Sequence, residues 1–213
     1  MAFKGWPSQA VAFFDGLETD NSRSYWQANK KTYDECVRAP MEELLAELEK
    51  EFGEARIFRP NRDTRFSLDK SPYKTAIAAH FTERGYVHYS ADRFGAGSGM
   101  YSMASDQLER YRRAVDDDRS GRALERLVAK LRGQGVEVTA HDELKTAPRG
   151  YAKDHPRIEF LRLKGLVAWR EWPVGKWTST AQPKQRVIEV LRAAKPLNRW
   201  LDEHVGESEL PER

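Results

Sequence analysis

Lys74-Thr75-Ala76-Ile77-Ala78-Ala79-His80-Phe81 and Tyr86-Val87-His88-Tyr89-Ser90, with Glu83-Arg84-Gly85 between them, decide the fold class. Two short runs of strand-forming residues around a glycine-ending turn predict an antiparallel hairpin. A third strand is expected over Ser98–Ala104, with Gly95, Gly97 and Gly99 preceding or opening it. Moving outward, the period becomes helical. Ser8–Leu17 carries Val11, Phe14 and Leu17 on one stripe. A second helix begins near Asn21–Ser24, where Ser24 and Gln27 would form a capping box, and its apolar face is Trp26, Tyr33, Cys36 and Val37. Pro40 opens a third, with Met41, Leu44, Leu45, Leu48 and Phe52 at helical spacing. After the hairpin, helices are expected at Ser105–Val115, Gly121–Leu131, Pro183–Ala194 and Pro196–His204, and strands at Val136–Ala140 and Leu166–Trp172. Strands in the middle with helices on both sides make the α+β pattern: a mostly antiparallel sheet packed against N-terminal and C-terminal helices. No repeat or linker divides the chain, so a single domain over 1–205 with a flexible tail over 206–213 is expected.

Composition narrows the function classes. The 36 basic and 33 acidic side chains among 213 residues leave a formal charge of +3. That balance argues against a dedicated nucleic-acid binder, which carries a basic excess. The lone cysteine, Cys36, needs no oxidising compartment, and no run approaches the roughly 18 apolar residues of a membrane span. A cytoplasmic protein without a membrane partner is the expectation.

The residues from Phe58 to Thr75 have no apolar periodicity. Arg59, Arg62, Arg65, Lys70 and Lys74 alternate there with Asp63, Asp69, Tyr73 and hydroxyls such as Ser67. Converging cations beside hydroxyls suit a phosphate, sulfate or carboxylate group. In a ligand site Asp63 or Asp69 would act as base, and Tyr73 or His155 as proton donor, with Tyr151 beside the bound molecule. The same residues equally form a structural ion network pinning a long loop, with Lys70-Ser71-Pro72 a plain turn. Nothing supplies a nucleophile or identifies a cofactor, so no reaction type follows. The readings left open are an anion-binding small-molecule protein or enzyme, a non-catalytic protein-interaction module, and, less favoured, nucleic-acid binding.

Other signals are weaker. His80, His88, His141, His155 and His204 lack metal-type spacing, so no metal site is expected, although His80 and His88 would face each other across the hairpin. The glycines at 95, 97 and 99 lead into a strand rather than a helix, which favours a bulge or close backbone approach over phosphate cradling. Arg110, Arg112 and Arg113 followed by Asp116, Asp117 and Asp118 read as a solvated, charge-cancelling helix face. Trp169, Trp172 and Trp177 are expected to pack rather than to stack on bases. Cys36 is expected to be inert.

The string Arg62-Asp63-Thr64-Arg65-Phe66-Ser67-Leu68-Asp69-Lys70-Ser71-Pro72-Tyr73-Lys74-Thr75 resembles the signature of a bacterial family known only as domain of unknown function 2461, with its RDxRFSxDKxPYK-like core. Similar pieces follow the family's order: Asn21-Ser22-Arg23 with Tyr25-Trp26, Gly97 and Gly99 before Met100-Tyr101, Ala147 to Tyr151 with His155-Pro156, and Pro196-Leu197 with Trp200-Leu201. Asp20-Asn21 and Tyr25-Trp26 stand where the family usually has Asn-Asn and Trp-Phe, both conservative departures. The resemblance, covering about Phe3 to Leu201, implies a shared fold and no particular activity.

Overall fold

A computed structural model describes residues 2–65 and 67–211 of the chain. Phe66 of the signature string and positions 212 and 213 of the expected tail lie outside the described residues. The fold is α+β. Helices α1 (Ser8–Thr19), α2 (Arg23–Thr32) and α3 (Ala39–Phe52) come first. Strands β1 (Ala55–Ile57), β2 (Ala76–Phe81), β3 (Gly85–Ser90) and β4 (Arg93–Met100) follow, then α4 (Ser105–Asp116) and α5 (Asp118–Gly133). Strand β5 (Glu137–Thr139), short helix α6 (Ile158–Arg162), β6 (Leu166–Pro173) and the long α7 (Gln182–His204) complete the order. The six strands form one sheet in the order β1-β2-β3-β4-β6-β5. Its pairs β1/β2, β2/β3 and β5/β6 are antiparallel.

The hairpin forms where alternation predicts it. Ile77, Ala79 and Phe81 of β2 and Val87 and Tyr89 of β3 are buried, while their sheet neighbours are half-buried. Its register puts His80 opposite Tyr86 and His88 opposite Ala78. The two histidines therefore lie diagonally on one face and do not face each other. Arg84, not Gly85, takes the left-handed backbone of the turn, at φ 66°.

Two compact units emerge, Met1–Ala96 with Glu171–Glu189 and Gly97–Arg170 with Val190–Arg213. In the first, Trp6 stacks on Tyr89 with ring centroids 4.5 Å apart, and Phe14 meets Tyr89 edge-on. Phe94 packs with Trp172 and Trp177, and the Arg186 guanidinium lies 3.7 Å over the Trp177 ring. In the second, Tyr111, Leu124, Val128 and Leu131 are buried, whereas Leu127 of the same stripe is half-buried.

Several local expectations need correction. The cap of α2 is Ser22, whose hydroxyl accepts from Tyr25 N, rather than a Ser24 capping box. The third strand starts at Arg93, so Gly95, Gly97 and Gly99 lie inside it. There Gly97 leaves room for the Trp169 ring, whose Cε3 a Cβ would approach to 2.5 Å. Of the three prolines expected to open helices, Pro183 lies at the start of α7, while Pro40 and Pro196 sit within helical runs. Between α2 and α3 the chain does not break but widens into a π-helical turn over Tyr33–Arg38, where Ala39 N donates to Asp34 O five residues back. Pro40 explains the widening, because in α geometry its ring would clash with the carbonyl four residues earlier. The buried Trp6 indole donates to Val37 O in this turn at 3.1 Å. Pro196 likewise sits inside α7, which runs unbroken from Gln182 to His204. A proline in a helix costs about 3 kcal/mol, and the buried stripe of Val187, Val190, Leu191, Ala194, Leu197 and Leu201 outweighs it.

Candidate functional site

The loop between β1 and β2 is clamped at its base. Asn61 and Tyr73 form an antiparallel bridge, Arg62 N donates to Pro72 O at 2.9 Å, and Lys74 N donates to Pro60 O at 2.8 Å. Asn21 at the entry to α2 holds the Tyr73 peptide from both sides, accepting its N–H at 3.0 Å and donating to its carbonyl at 3.1 Å. The buried Tyr73 ring stacks on Trp26, 4.3 Å between centroids and 9° between planes.

Beyond that clamp the charges pair among themselves. Arg65 grips Asp63 through Nε and Nη2, the latter 2.7 Å from Oδ2. Arg62 pairs with Asp69, and Lys70 donates to Thr64 O at 2.9 Å. Hydrogen bonds from Ser71 and then Arg62 hold the Asp69 carboxyl well below the usual range, and bonds from Arg65 lower Asp63. Carboxylates held this acidic are weak proton acceptors near neutrality. Lys74 lies over the Phe58 ring at 5.3 Å, and burial, with nearby Arg59, lowers its pKa. Ser67 N donates to Thr64 O at 3.4 Å, and Leu68 beside it is fully exposed.

Tyr151 and His155 belong to the second unit, whereas residues 59–75 belong to the first. His155 Nε2 lies 3.0 Å from Asp116 Oδ1, and its Nδ1 accepts from Arg157 N at 3.1 Å. A nitrogen that accepts an N–H carries no proton, so this geometry fits the neutral Nε2–H tautomer. Both ring nitrogens are thus engaged. The Tyr151 ring stands edge-on to His155 at 6.5 Å, and burial raises its hydroxyl pKa.

Arg157, two residues on, was not singled out in the sequence. Its side chain is 5% exposed and donates to Val115 O at 2.6 Å, Asp116 O at 2.8 Å and Asp118 Oδ1 at 3.0 Å. It staples the end of α4 to the start of α5. Gly121 is required beneath it, since a Cβ there would collide with Val115 O and the Arg157 side chain. The run from Arg110 to Asp118 is therefore no self-cancelling solvated face. Arg110 donates to Val205 O at 2.5 Å and Glu207 O at 2.6 Å, and Arg112 to Leu161 O at 3.2 Å. Asp116 and Asp118 turn to His155 and Arg157.

The same unit holds an open cleft of about 680 Å³. Arg110 and Arg113 of α4, Arg119 and Leu127 of α5, and Pro196, Arg199, Trp200 and His204 of α7 line it. Four arginines face two carboxylates, Asp117 and Glu203. Asp117 is committed to capping α5, accepting from Arg119 N and Ser120 N, and these bonds lower its pKa. The buried Trp200 indole donates to Ser120 O at 3.0 Å and fixes α7 against the start of α5. Arg110 is spoken for, and among the described residues Arg113 reaches only Glu109, at 3.9 Å. Among the described residues no hydrogen bond or ion pair engages the guanidinium of Arg119 or Arg199, both of which are exposed. Arg119 follows a capping aspartate and Arg199 precedes a core tryptophan; neither context marks them in the sequence.

Comparison with known proteins gives a family and no activity. A family model described as a conserved hypothetical protein (DUF2461) matches residues 9–200. No match was found among curated proteins.

Proposed function

Because the chain belongs to the DUF2461 family, whose description names no activity, we propose from geometry alone that it binds an anionic small molecule, phosphate- or carboxylate-bearing, in the α4–α5–α7 cleft. The carrying observation is the pair of uncommitted guanidiniums, Arg119 and Arg199, on a cleft with an excess of positive charge. Guanidinium forks match such oxyanions bidentately, and gathering four arginines against two carboxylates raises the free energy of the empty site. A bacterial, cytoplasmic setting, consistent with a single cysteine, is part of the proposal. Among the described residues no helix is long and apolar enough to cross a membrane.

Calorimetric titration with pyrophosphate, ATP and citrate tests the reading. At least one should bind, and Arg119→Ala with Arg199→Ala should weaken it by about 1.5–3 kcal/mol per lost charge-assisted contact. Equal binding by the double variant, or none by the native chain, removes the cleft as the site. A second reading, a non-catalytic interaction module, draws on the loop at 59–75. Its Arg62–Asp69 and Arg65–Asp63 pairs favour a structural role for those charges.

A further inference from the structure

Among the described residues strand β1 ends the sheet, with β2 as its one strand neighbour. Phe58 N donates to Ala78 O, and Thr82 N donates to Glu54 O. In an antiparallel ladder the bonding direction alternates, so Glu54, Arg56 and Phe58 face β2. Ala55 and Ile57 then turn their N–H and C=O outward in the sheet plane. Those groups open onto a groove of about 540 Å³ between β1 and α3. Leu45 and Ala46 of α3 and Ile57 form its apolar floor, and the charges on its lining are Glu42, Glu49 and Glu54 against Arg38 and Arg56. Arg38 is neutralised by Glu42 at 2.8 Å. Glu49 and Glu54 have no side-chain partner among the described residues.

We infer that this groove takes an extended, basic polypeptide segment, which adds to the sheet as a strand beside β1. Main-chain bonds to Ala55 and Ile57 supply the register, as in other strand-addition complexes. Period-two side-chain alternation sends every second residue of the guest toward Leu45 and Ala46. Charge chooses the guest: with Arg38 paired to Glu42, Glu49 and Glu54 stand against Arg56 on the groove lining, and this acidic excess attracts lysine or arginine and repels acidic segments. The site lies within the first unit and does not depend on the anion cleft.

The test uses the full chain and a fluorescein-labelled, capped peptide Val-Lys-Val-Lys-Val-Lys, with its glutamate counterpart as control. Anisotropy should show saturable binding of the lysine peptide only. Ile57→Pro removes an outward N–H without touching the β1–β2 bonds, and should weaken binding by about tenfold or more. Ile57→Val should bind like the native chain, and the E49K/E54K double variant should weaken binding comparably. Should Ile57→Pro fail to fold, the E49K/E54K variant and the amide resonances of Ala55 and Ile57, which must move on titration, carry the test. No binding, equal binding of both peptides, or binding indifferent to the variants would overturn the inference. So would sedimentation showing a dimer dissolved by Ile57→Pro, because a second copy would then own the edge.

Discussion

Two regions use the same chemistry, arginine on aspartate, to opposite effect. In the β1–β2 loop Arg65 holds Asp63 with both partners largely in water, their side chains 76% and 43% exposed. At the α4–α5 junction Arg157 is 5% exposed and makes two hydrogen bonds to main-chain carbonyls of α4. In water an ion pair exchanges one solvation for another and gains little. In the interior the guanidinium satisfies the buried Val115 carbonyl and the part-buried Asp116 carbonyl, so its removal strands acceptors. The loop catches the eye in the sequence, while the single buried arginine carries more of the fold.

The largest effect should come from Arg157→Ala, which leaves Val115 O and Asp116 O without their donor. We expect a loss of about 1–3 kcal/mol in urea melts for each stranded carbonyl, the cost of a buried acceptor left unsatisfied. A loss below about 1 kcal/mol would place Arg157 with the surface pairs and erase the contrast. Gly121→Ala comes next. It adds a methyl against Val115 O and the Arg157 side chain, and overpacking of that kind costs about 1–3 kcal/mol. In an Arg157→Ala background the alanine should cost less, because one of its two obstacles is gone.

Between the extremes stands Asp106. Its carboxylate accepts from Glu209 N and Ser208 Oγ, both at 2.9 Å, and from Arg110. The Glu209 N–H first, with Ser208 and Arg110, holds its pKa at about 2. A folded pKa below the unfolded value of roughly 3.9 contributes stability that is present above that value and lost as pH falls toward 2. The Glu209 amide should therefore exchange faster as pH drops from about 4 to 2, relative to the intrinsic rate, before the helices melt. Unchanged relative protection across that window would show that residues 206–209 are held by something else.

How much of this was legible in the chain follows from the range of the forces. The hairpin reads correctly because alternation over Ala76–Ser90 is a local pattern matched by local pairing. Pro40 and Pro196 mislead because their cost is local, whereas the burial of Val37, Leu44, Leu197 and Leu201 that overrides it is set by tertiary packing. β1 and α6, three and five residues long, escape notice, whereas β5, as short as β1, is legible in the run Val136–Ala140. The charge cluster at 59–75 is visible in composition, but pairing is a matter of geometry, and composition cannot tell Arg65, already partnered, from Arg119 and Arg199, whose guanidiniums no hydrogen bond or ion pair engages among the described residues. Those two become conspicuous only when α4, α5 and α7 fold around one cleft.

The smallest effect, and the sharpest test of the contrast, is Arg65→Ala. Asp63 keeps its hydration when the guanidinium goes, since it stands in solvent, and the repulsion of Arg65 with Arg62, Arg59 and Lys70 is removed at the same time. Both changes are screened over the distances involved. We therefore expect a thermal midpoint indistinguishable from the native chain, at low and at high salt. Phosphate should leave the difference between the two proteins unchanged, because the proposed anion cleft does not use Arg65. Two other outcomes are informative. A drop comparable to that of Arg157→Ala would mean that the Arg65–Asp63 pair is shielded from water, and the two regions would no longer differ. A native midpoint raised by phosphate, with the rise abolished by Arg65→Ala but retained in the Arg119→Ala/Arg199→Ala variant, would move the anion site from the cleft to the loop.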